Sequence, residues 1–391
     1  MRILLLTPVF PPARGGIEVT AGKLAEHLRG KVLVATLAPG AGTVTGEQPP
    51  ARPGCRVLRL PNEPRGGRRA ILGLNAASLA AGLAFRPDVV LALHVKAAPA
   101  ARAVSALSRA PLVQWVHAKE MREVPALARF AVQRASAVVA VSSYSSDLAR
   151  EAGADAARIV TVPPGVDVPA VRRAERDARP TLVTVSRLED RYKGHDVVLQ
   201  ALPAVREAVP DVRWVVVGDG GLRPELERAA RDAGLSDAVR FAGGLDDAAR
   251  DVWLDRASVF VMPSRAPGGD RAGEGFGIVF LEAGAHGLPV VAGRVPGVVD
   301  AVRDGTTGLL VDPTDPQAVA AAVTRVLTDP EAAARMGAAG AARAQEQAWP
   351  QVVARVQDML EAQVAAGPSR PARPPRDWRW ARDLVAAPPA S

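Results

Sequence analysis

The order of short apolar runs and longer helical stretches constrains the fold of this 391-residue chain more than any other feature. The runs are rich in valine, isoleucine and leucine, and they are continuous rather than alternating, which indicates strands buried on both faces of a parallel sheet. The first half predicts strands at 2–7, 32–37, 56–60, 88–93, 112–116, 137–141 and 159–162, and helices at 17–29, 70–85, 97–109, 121–134 and 144–152. The second half predicts strands at 181–186, 213–218, 238–241, 258–262, 289–292 and 308–311.

The length of the chain and a break near its middle indicate two domains. A chain of 391 residues exceeds what one ordinary hydrophobic core organises. Pro163, Pro164 and Gly165 interrupt regular structure, and a charged segment bounded by Pro180 follows them. We therefore expect an α/β protein with two doubly wound, Rossmann-like domains, 1–169 and 170–367, whose ligands bind at the carboxyl ends of the strands.

The tail beyond Gly367 differs in composition from the rest of the chain. Its prolines between 368 and 375 exclude a helix until about Asp377. Trp378 and Trp380 stand in the following Arg-rich segment, and large aromatic side chains favour burial. We expect residues 368–391 to pack back on the first domain, with a disordered end as the alternative.

Composition indicates a soluble, cytoplasmic protein. The hydrophobic fraction is 48%, and no apolar run reaches the roughly 18 residues expected of a membrane span. The N-terminus lacks the long apolar region and cleavage site of a secretory signal, so residues 2–7 are interpreted as a first strand. The single cysteine, Cys55, excludes an internal disulfide and offers no metal cluster.

The positive charge lies in the first half of the chain. The net charge is +8, and residues 1–169 hold 21 of the 49 Lys+Arg but only 11 of the 41 Asp+Glu, a net charge of +10. Such asymmetry suits an anionic membrane or a phosphorylated substrate, although an arginine-rich solvated surface is the simpler alternative. Arg65–Arg69 is the candidate membrane contact. Nucleic acid is not expected as a partner, because only 4% of the residues are aromatic and no basic run contains stacking residues.

The segment Gly273–Glu282 places two carboxylates, Glu274 and Glu282, eight positions apart around a glycine-rich turn that leads into a helix. If the helix starts near Phe276, the first-turn amides lack intrahelical acceptors and lie at the positive end of the helix dipole, where a diphosphate binds readily. These are the amides of Phe276, Gly277, Ile278 and Val279. Both carboxylates are suited to accept hydrogen bonds from sugar hydroxyls. The segment predicts a nucleotide-sugar site, with a chance spacing of glutamates as the alternative.

Two cations follow the first strand of the second half. Arg187 and Lys193 are suited to converge on a diphosphate, the arginine as a fork and the lysine as a point charge. The chain has only five lysines, and Lys193 is the sole one after residue 169, in a region with 27 arginines. This exception favours a site that needs a compact ammonium over a generic surface cation.

Further candidates in the first half follow strands at their carboxyl ends. Gly15 and Gly16 precede the first helix, where their amides can face phosphate, although their spacing fits neither a dinucleotide fingerprint nor a P-loop. His117 and Glu120 follow the strand at 112–116, and His94 follows another strand; a structural role and a ligand role are both open for His117. No Asp-x-Asp suited to Mg²⁺ or Mn²⁺ occurs in a plausible place, so neither a metal nor another cofactor is expected.

Taken together, these residues resemble glycosyltransferase family 4, the retaining enzymes of the GT-B fold. The likeness runs along nearly the whole chain, and the order and spacing of its segments are specific. These segments are Gly15–Gly16, Val141–Ser143, Val162–Asp167, Arg187 with Lys193, Gly218–Gly220, Pro263–Arg265, Glu274–Glu282 and Gly305–Val311. The resemblance implies two Rossmann-like domains that face a central cleft, with the last helix crossing back to the first domain.

The resemblance also implies a role for each candidate residue. Arg187 and Lys193 neutralise the donor diphosphate, although Lys193 stands six residues after Arg187 rather than five, so the loop must bulge by one residue. Glu282 holds the ribose hydroxyls, and Glu274 with the backbone of 276–278 holds the transferred sugar.

Other positions complete the predicted site. The glycines Gly15 and Gly16 close over the phosphates, His117 lines the sugar pocket near the acceptor, and the base lies near Arg240 and Phe241. The predicted catalytic residues are Glu274, His117, Lys193 and Arg187.

The predicted reaction is transfer of a hexose from a nucleotide diphosphate sugar to a lipid-linked or glycan acceptor, without a metal and with anomeric configuration retained. GDP-mannose is the leading donor, because residues 191–196 and 275–282 resemble bacterial lipid-directed mannosyltransferases. UDP-glucose is the alternative donor. A non-catalytic sugar or lipid binder, a nucleotide-sugar epimerase and a phosphorylase-like enzyme with a pyridoxal-bearing lysine are alternatives of other classes. The expected location is the cytoplasm, with peripheral contact at the inner face of the membrane.

Overall fold

The computed structural model describes residues 1–13, 15–40, 52–62, 67–266, 274–367 and 379–385. It divides into two compact units. The first contains Met1–Pro164 with Trp349–Ser391, and the second contains Gly165–Ala348. Each unit is a parallel sheet with helices, which is the α/β class that the order of apolar runs predicts.

The first unit is built on a seven-stranded parallel sheet. Its strands are β1 (Arg2–Leu6), β2 (Lys31–Leu37), β3 (Cys55–Leu60), β4 (Val89–Ala92), β5 (Leu112–Val116), β6 (Ala137–Ala140) and β7 (Ile159–Thr161). They pair in the order β3-β2-β1-β4-β5-β6-β7. The order reverses between β1 and β4, so the carboxyl ends of these strands form the switch point where doubly wound sheets bind ligands.

The helices of this unit pack around the sheet. Those that connect the strands are α1 (Gly16–His27), α2 (Arg68–Phe85), α3 (Ala98–Ser108), α4 (Ala118–Glu123), α5 (Pro125–Gln133) and α6 (Ser143–Glu151). The single helix predicted at 121–134 is wrong. The chain breaks at Val124 (φ −133°, ψ 64°), and Pro125 starts α5 because a residue without an amide hydrogen is tolerated at a helix start but not inside a helix.

The second unit repeats the scheme with six strands. They are β8 (Thr181–Val185), β9 (Arg213–Val217), β10 (Val239–Gly243), β11 (Val259–Met262), β12 (Val290–Gly293) and β13 (Gly308–Val311). All neighbours pair in parallel, in the order β10-β9-β8-β11-β12-β13. The switch point of this sheet lies between β8 and β11.

The helices of the second unit complete its core. They are α7 (His195–Ala208), α8 (Arg223–Asp232), α9 (Asp247–Arg256), α10 (Ile278–Ala285), α11 (Val298–Ala301), α12 (Pro316–Thr328) and α13 (Pro330–Glu346). Trp214 on β9 and Phe260 on β11 are fully buried. The strands β8, β9, β11 and β12 are buried on both faces, as their continuous apolar runs predict, whereas Arg240 on the edge strand β10 is exposed.

The last helices, α14 (Trp349–Ala366) and α15 (Arg379–Val385), belong to the first unit. One face of α14 is buried, and Gln357 on that helix accepts a hydrogen bond from the Arg29 amide at 3.0 Å. The C-terminal return to the first unit agrees with the fold that the resemblance implied. Residues 349–367, which the sequence analysis placed in the second domain, lie in this unit because the apolar face of α14 is buried there.

The short helix α15 packs against α5 of the first unit. The ring of Trp380 lies 4.5 Å from that of Phe130 on α5, and Asp383 accepts hydrogen bonds from the amides of Ala126 and Leu127 at the start of that helix. Trp378 and the prolines at 368–375 lie outside the described residues. Over the described ranges, no helix is both long enough and apolar enough to cross a bilayer.

Candidate functional site

The loops at the switch point of the second unit bring together residues that are distant in the sequence. The loop after β8 carries Arg187 and Lys193, and the segment before α10 carries Glu274. Lys193 Nζ lies 2.5 Å from Glu274 Oε2, although the two residues are 81 positions apart. Their side chains are only 13% and 15% exposed, so water screens this ion pair weakly.

Local electrostatics keep Lys193 charged. Burial alone lowers the pKa of an ammonium, but the Glu274 carboxylate and Tyr192 outweigh burial and hold the pKa of Lys193 above its ordinary value. The Tyr192 ring also lies 4.9 Å from the ammonium, within the range of a cation–π contact. Lys193 is therefore a fixed positive charge at the carboxyl ends of the strands.

Neighbouring backbone holds the loop that carries Lys193. The Arg265 amide donates to the carbonyl oxygen of Tyr192 at 2.7 Å, and the Arg265 guanidinium donates to the Arg191 carbonyl oxygen and to the Asp196 carboxylate. Gly194 has φ 79°, and a Cβ at this position would lie 2.3 Å from the Pro263 carbonyl oxygen. The loop therefore needs glycine here, both for its conformation and for space.

Arg187 has a different environment from Lys193. Its side chain is 69% exposed and lies 3.6 Å from Asp190. Each of the two cations contacts a carboxylate, and their convergence on a diphosphate stays a prediction. The six-residue spacing between them includes a 3-10 turn over Arg191–Lys193, which shortens the path of the loop.

The glycine-rich segment starts its helix later than expected. The prediction of a helix start near Phe276 is wrong, because α10 starts at Ile278. Gly277 is its N-cap, with φ 86°, a left-handed conformation that glycine adopts without strain, while Phe276 is buried. The amides of Ile278 and Val279 lack intrahelical acceptors at this start. Gly273 lies outside the described residues.

Glu282 lies in the second turn of α10 beside an arginine that the sequence analysis did not identify. Its carboxylate is 3.9 Å from Arg250 Nη1, and Arg250 also contacts Asp251 at 2.8 Å and Asp247 at 3.1 Å. Burial raises the pKa of Glu282; Arg250 opposes this shift, and the carboxylates of Asp247, Asp251 and Asp167 add to it. The ionised form of Glu282 is therefore held at a cost that hydrogen-bond donors from a ligand would reduce.

Arg240 and Phe241, the predicted base contacts, have packing partners within the second unit. The Arg240 guanidinium lies 4.9 Å from the ring centre of Trp253 on α9. The Phe241 side chain packs against the hydrophobic core. The two residues alternate on β10, so their side chains lie on opposite faces of the strand.

In the first unit, Gly15 and Gly16 lie at the start of α1, with Gly15 as the N-cap. A Cβ on Gly15 would meet the Glu18 carboxylate at 2.3 Å. Arg14 lies outside the described residues. His117 is the N-cap of α4, and its amide donates to Glu120 Oε1 at 3.1 Å. The glycine loop and the histidine follow β1 and β5, at the carboxyl edge of the sheet.

Within the described ranges, no group of three His, Cys, Asp or Glu side chains is placed to hold a metal ion. The candidate site thus consists of an ammonium with its carboxylate, a second carboxylate with its arginine, and helix-start amides. This set can hold a polyhydroxylated anion, because ammonium and amides bind phosphate oxygens while carboxylates accept from hydroxyls.

Two doubly wound units, with the C-terminal helices returned to the first, form a GT-B architecture, and the chain is a glycosyltransferase of this class. Residues 14–169 match the model of Glycosyltransferase Family 4, and residues 171–343 match that of Glycosyl transferases group 1. The chain belongs to glycosyltransferase family 4.

Curated relatives agree with this family. A GDP-mannose-dependent alpha-(1-6)-phosphatidylinositol monomannoside mannosyltransferase of Mycolicibacterium smegmatis is 35% identical over 86% of this chain and 92% of that protein. A glycogen synthase of Mycobacterium tuberculosis is 30% identical over 88% of this chain and 90% of that protein.

Solved structures support the same fold. A crystal structure of Anabaena HepE with UDP and glucose aligns with a TM-score of 0.75 and 24% identity, over 93% of this chain and all of that one. A sucrose-phosphate synthase from Thermosynechococcus elongatus aligns with a TM-score of 0.73 and 22% identity, over 93% of this chain and 99% of that one. At these identities, the likeness concerns the fold alone.

Proposed function

We propose that the protein is a retaining, metal-independent mannosyltransferase that transfers mannose from GDP-mannose to a hydroxyl of a glycolipid acceptor. The observation that carries the proposal is the buried Lys193–Glu274 pair, at 2.5 Å, at the carboxyl ends of the strands. It combines a phosphate-binding cation with a hydroxyl-binding carboxylate. The choice of mannose rests on the mycobacterial relative, which is 35% identical and named as GDP-mannose-dependent.

The donor diphosphate binds between Lys193 and the amides at the start of α10. Its negative charge competes with Glu274 for the ammonium, and Glu274 then accepts hydrogen bonds from sugar hydroxyls. As the sugar leaves, charge develops on the diphosphate, and the fixed ammonium stabilises that charge without reorganisation. Arg187, which is exposed beside Asp190, adds a second cation when the donor binds.

Glu282 holds the ribose of the donor. Its carboxylate is costly to ionise in the free protein, because burial raises its pKa. Two ribose hydroxyls supply donors to this carboxylate, while Arg250 keeps it oriented. Retention of anomeric configuration follows the family pattern, and charge neutralisation by protein groups takes the place of a metal.

A glycolipid acceptor lies in a membrane, and we propose that α2 contacts the anionic surface of that membrane. The exposed side chains of Leu72 and Leu83 lie on this helix, and Arg68 and Arg69 form its first turn. Apolar side chains beside arginines suit a helix that lies in a lipid interface. Arg65 and Gly66 of the predicted basic cluster lie outside the described residues.

Vesicle co-sedimentation tests the membrane contact. We expect binding to vesicles with phosphatidylinositol, little binding to neutral phosphatidylcholine vesicles, and weaker binding after Leu72→Ser with Arg69→Ser. The control is Leu107→Ser, because Leu107 is exposed on a different helix, α3. Equal binding of all three proteins would reject α2 as the contact.

The proposed donor is tested by thermal shift with GDP-mannose, UDP-glucose and ADP-glucose, followed by transfer to phosphatidylinositol monomannoside. A donor at 100 times its dissociation constant stabilises the protein by about 2.7 kcal/mol. We expect the largest shift and turnover with GDP-mannose, and an α-linked product by NMR. A preference for UDP-glucose would replace mannosyl with glucosyl transfer, and binding without turnover would favour a sugar-binding protein.

A further inference from the structure

A buried cluster at the carboxyl edge of the first sheet joins two histidines through one carboxylate. Glu120 on α4 is only 3% exposed. Its Oε1 accepts from the His117 amide at 3.1 Å, and its Oε2 accepts from the Val95 amide at 3.3 Å and lies 2.9 Å from His94 Nδ1. Burial raises the pKa of Glu120, but His94 and the His117 contacts outweigh it, and the net pKa lies below its ordinary value. Glu120 is therefore a carboxylate.

The contacts of His94 determine where its ring proton lies. His94 Nδ1 is 2.9 Å from the Glu120 carboxylate and 3.1 Å from the Lys96 amide. One nitrogen cannot donate to the first and accept from the second. The contact with the carboxylate is shorter and charge-assisted, so Nδ1 carries the proton and donates a hydrogen bond to the Glu120 carboxylate.

The ring of His117 is oriented in the same sense. It hydrogen-bonds the backbone of Leu93, while its buried Nε2 has no partner in the described part of the chain. The bonded nitrogen is therefore Nδ1. The Glu120 amide also faces the His117 side chain at the start of α4 but makes no cap hydrogen bond with it, so Nδ1 carries the proton and donates a hydrogen bond to the Leu93 carbonyl oxygen. Burial lowers the pKa of His117, His94 lowers it further, and Glu120 and Leu93 oppose them incompletely. The ring is neutral at pH 7, and its Nε2 is a bare acceptor.

We propose that Glu120 is a positioning residue: it ties His94 and His117 into one unit, so that His117 Nε2 accepts a hydrogen bond from a substrate hydroxyl. This inference rests on the proposed sugar transfer, because a sugar or polyol supplies the hydroxyl. A buried acceptor without a partner is costly, and a hydroxyl donor satisfies it. The Glu120 carboxylate fixes the backbone from which His117 extends and the proton position on His94.

The first test needs no enzymatic activity. The chain has five histidines, so long-range ¹H–¹⁵N NMR of the whole protein, assigned with single substitutions, reports the tautomer of each ring. We expect the proton on Nδ1 for both His94 and His117. In Glu120→Gln, His94 loses this preference. A wild-type spectrum with the His117 proton on Nε2, or an unchanged His94 in Glu120→Gln, would overturn the inference.

Kinetics then separate a positioning role from a structural one. In Glu120→Gln, kcat should fall about tenfold with the donor KM unchanged. The acid limb of the kcat profile should move to lower pH, because the Glu120 carboxylate raises the pKa of His117. Among the described residues, His94 is the other titratable group that shifts this pKa, and it lowers it. The control is Glu123→Gln on the same helix, which pairs with Lys119 instead. Wild-type kcat and pH profile in Glu120→Gln would contradict the proposal.

Glu120 also accepts a hydrogen bond from the His117 amide at the start of α4, so Glu120→Gln could lower activity by disturbing that helix. A second pair of variants, at His94, leaves this hydrogen bond in place. In His94→Asn the side-chain amide replaces the Nδ1 hydrogen and should keep near-normal kcat, whereas His94→Leu should match Glu120→Gln. Equal activity of the two variants would reject the proposal. If the wild-type protein transfers no sugar from any donor, the proposed function fails, while the NMR spectra still decide the tautomers.

Discussion

Both units place polar side chains at the carboxyl ends of their parallel strands, but the groups that they offer to a ligand differ in charge. In the second unit, the carboxyl ends next to the switch point carry full charges, Lys193 with Glu274. In the first unit, the Glu120 carboxylate is already bonded to His94 and to the His117 amide, and the group left without a partner in the described residues is the neutral imidazole of His117, which follows the neighbouring strand β5. The doubly wound sheet thus determines where a ligand binds, and the loops determine which ligand.

This difference matches the two kinds of group in a nucleotide sugar reaction. A diphosphate carries charge that grows as the sugar leaves, and only a fixed cation meets it. A hydroxyl carries no charge, and a neutral acceptor binds it without a desolvated ion. We therefore expect the removal of a charged side chain to lower kcat more in the second unit than in the first.

The largest expected effect is that of Lys193→Ala. Loss of one preorganised donor to the developing charge lowers kcat by about a hundredfold or more. The control is Arg191→Ala in the same loop, because the Arg191 side chain is exposed and bonds Glu225. Steady-state kinetics with the preferred donor measure both variants. Wild-type turnover in a folded Lys193→Ala protein would show that the second unit does not stabilise the diphosphate through this cation.

The next largest effect is on the free energy of unfolding, and it arises from His195 in the second unit. Burial, and then Lys193, lower the pKa of His195 to about 4, while its Nε2 bonds Ser186 at 2.8 Å. The unfolded chain binds this proton near pH 6.5, so the folded state loses stability as the pH falls from 6.5 to 4. The loss is about 3 kcal/mol at 1.36 kcal/mol per unit.

His195→Gln isolates this effect, because glutamine places an amide near the position of Nε2 and does not titrate. Urea unfolding at pH 7 and pH 4.5 should show a smaller acid-induced loss for the variant than for the wild type. Equal losses would mean that His195 accepts a proton in the folded state. The second unit would then hold a protonated His195 beside Lys193 without loss of stability.

Most of the fold was predictable from the sequence, because buried parallel strands appear as continuous apolar runs between helical stretches. All thirteen predicted strands occur in the described residues, from Arg2–Leu6 to Gly308–Val311. Helix ends were less predictable. The break at Val124 and the start of α10 after Gly277 depend on backbone conformations that a periodic pattern does not specify.

The site was predictable as a set of residues but not as a set of contacts. Lys193 was notable as the only lysine of its half, and Glu274 as part of a glycine-rich segment, but their 2.5 Å contact spans 81 positions. Glu282 was predicted without Arg250, which is one of many arginines in the sequence and gives no local signal. Such pairs arise from the order of the strands, which places distant loops side by side.

A smaller effect is expected for Glu282→Gln. Loss of the charged acceptor for the ribose should raise the donor KM about tenfold. Because burial raises the pKa of Glu282, its ionised form is costly at pH 7, and the neutral variant should be at least as stable as the wild type. Glu331→Gln, at an exposed carboxylate, is the control. A destabilised Glu282→Gln protein would show that Arg250 needs this carboxylate in the fold.

The smallest effect is expected for Arg240→Ala, which tests whether the base contact predicted for Arg240 belongs to the donor site. Its guanidinium stacks on Trp253, so its loss should lower stability by about 0.5–1 kcal/mol, as for an exposed cation–π contact. The donor KM should stay within about twofold, below the effect of one hydrogen bond. Mannose 1-phosphate lacks the base, so its dissociation constant reports contacts to the sugar and phosphate alone. If Arg240→Ala raised the KM for GDP-mannose tenfold and left the dissociation constant of mannose 1-phosphate unchanged, the base would lie beside Arg240. It would also add another cation to the donor site of the second unit and widen the difference in charge between the two units.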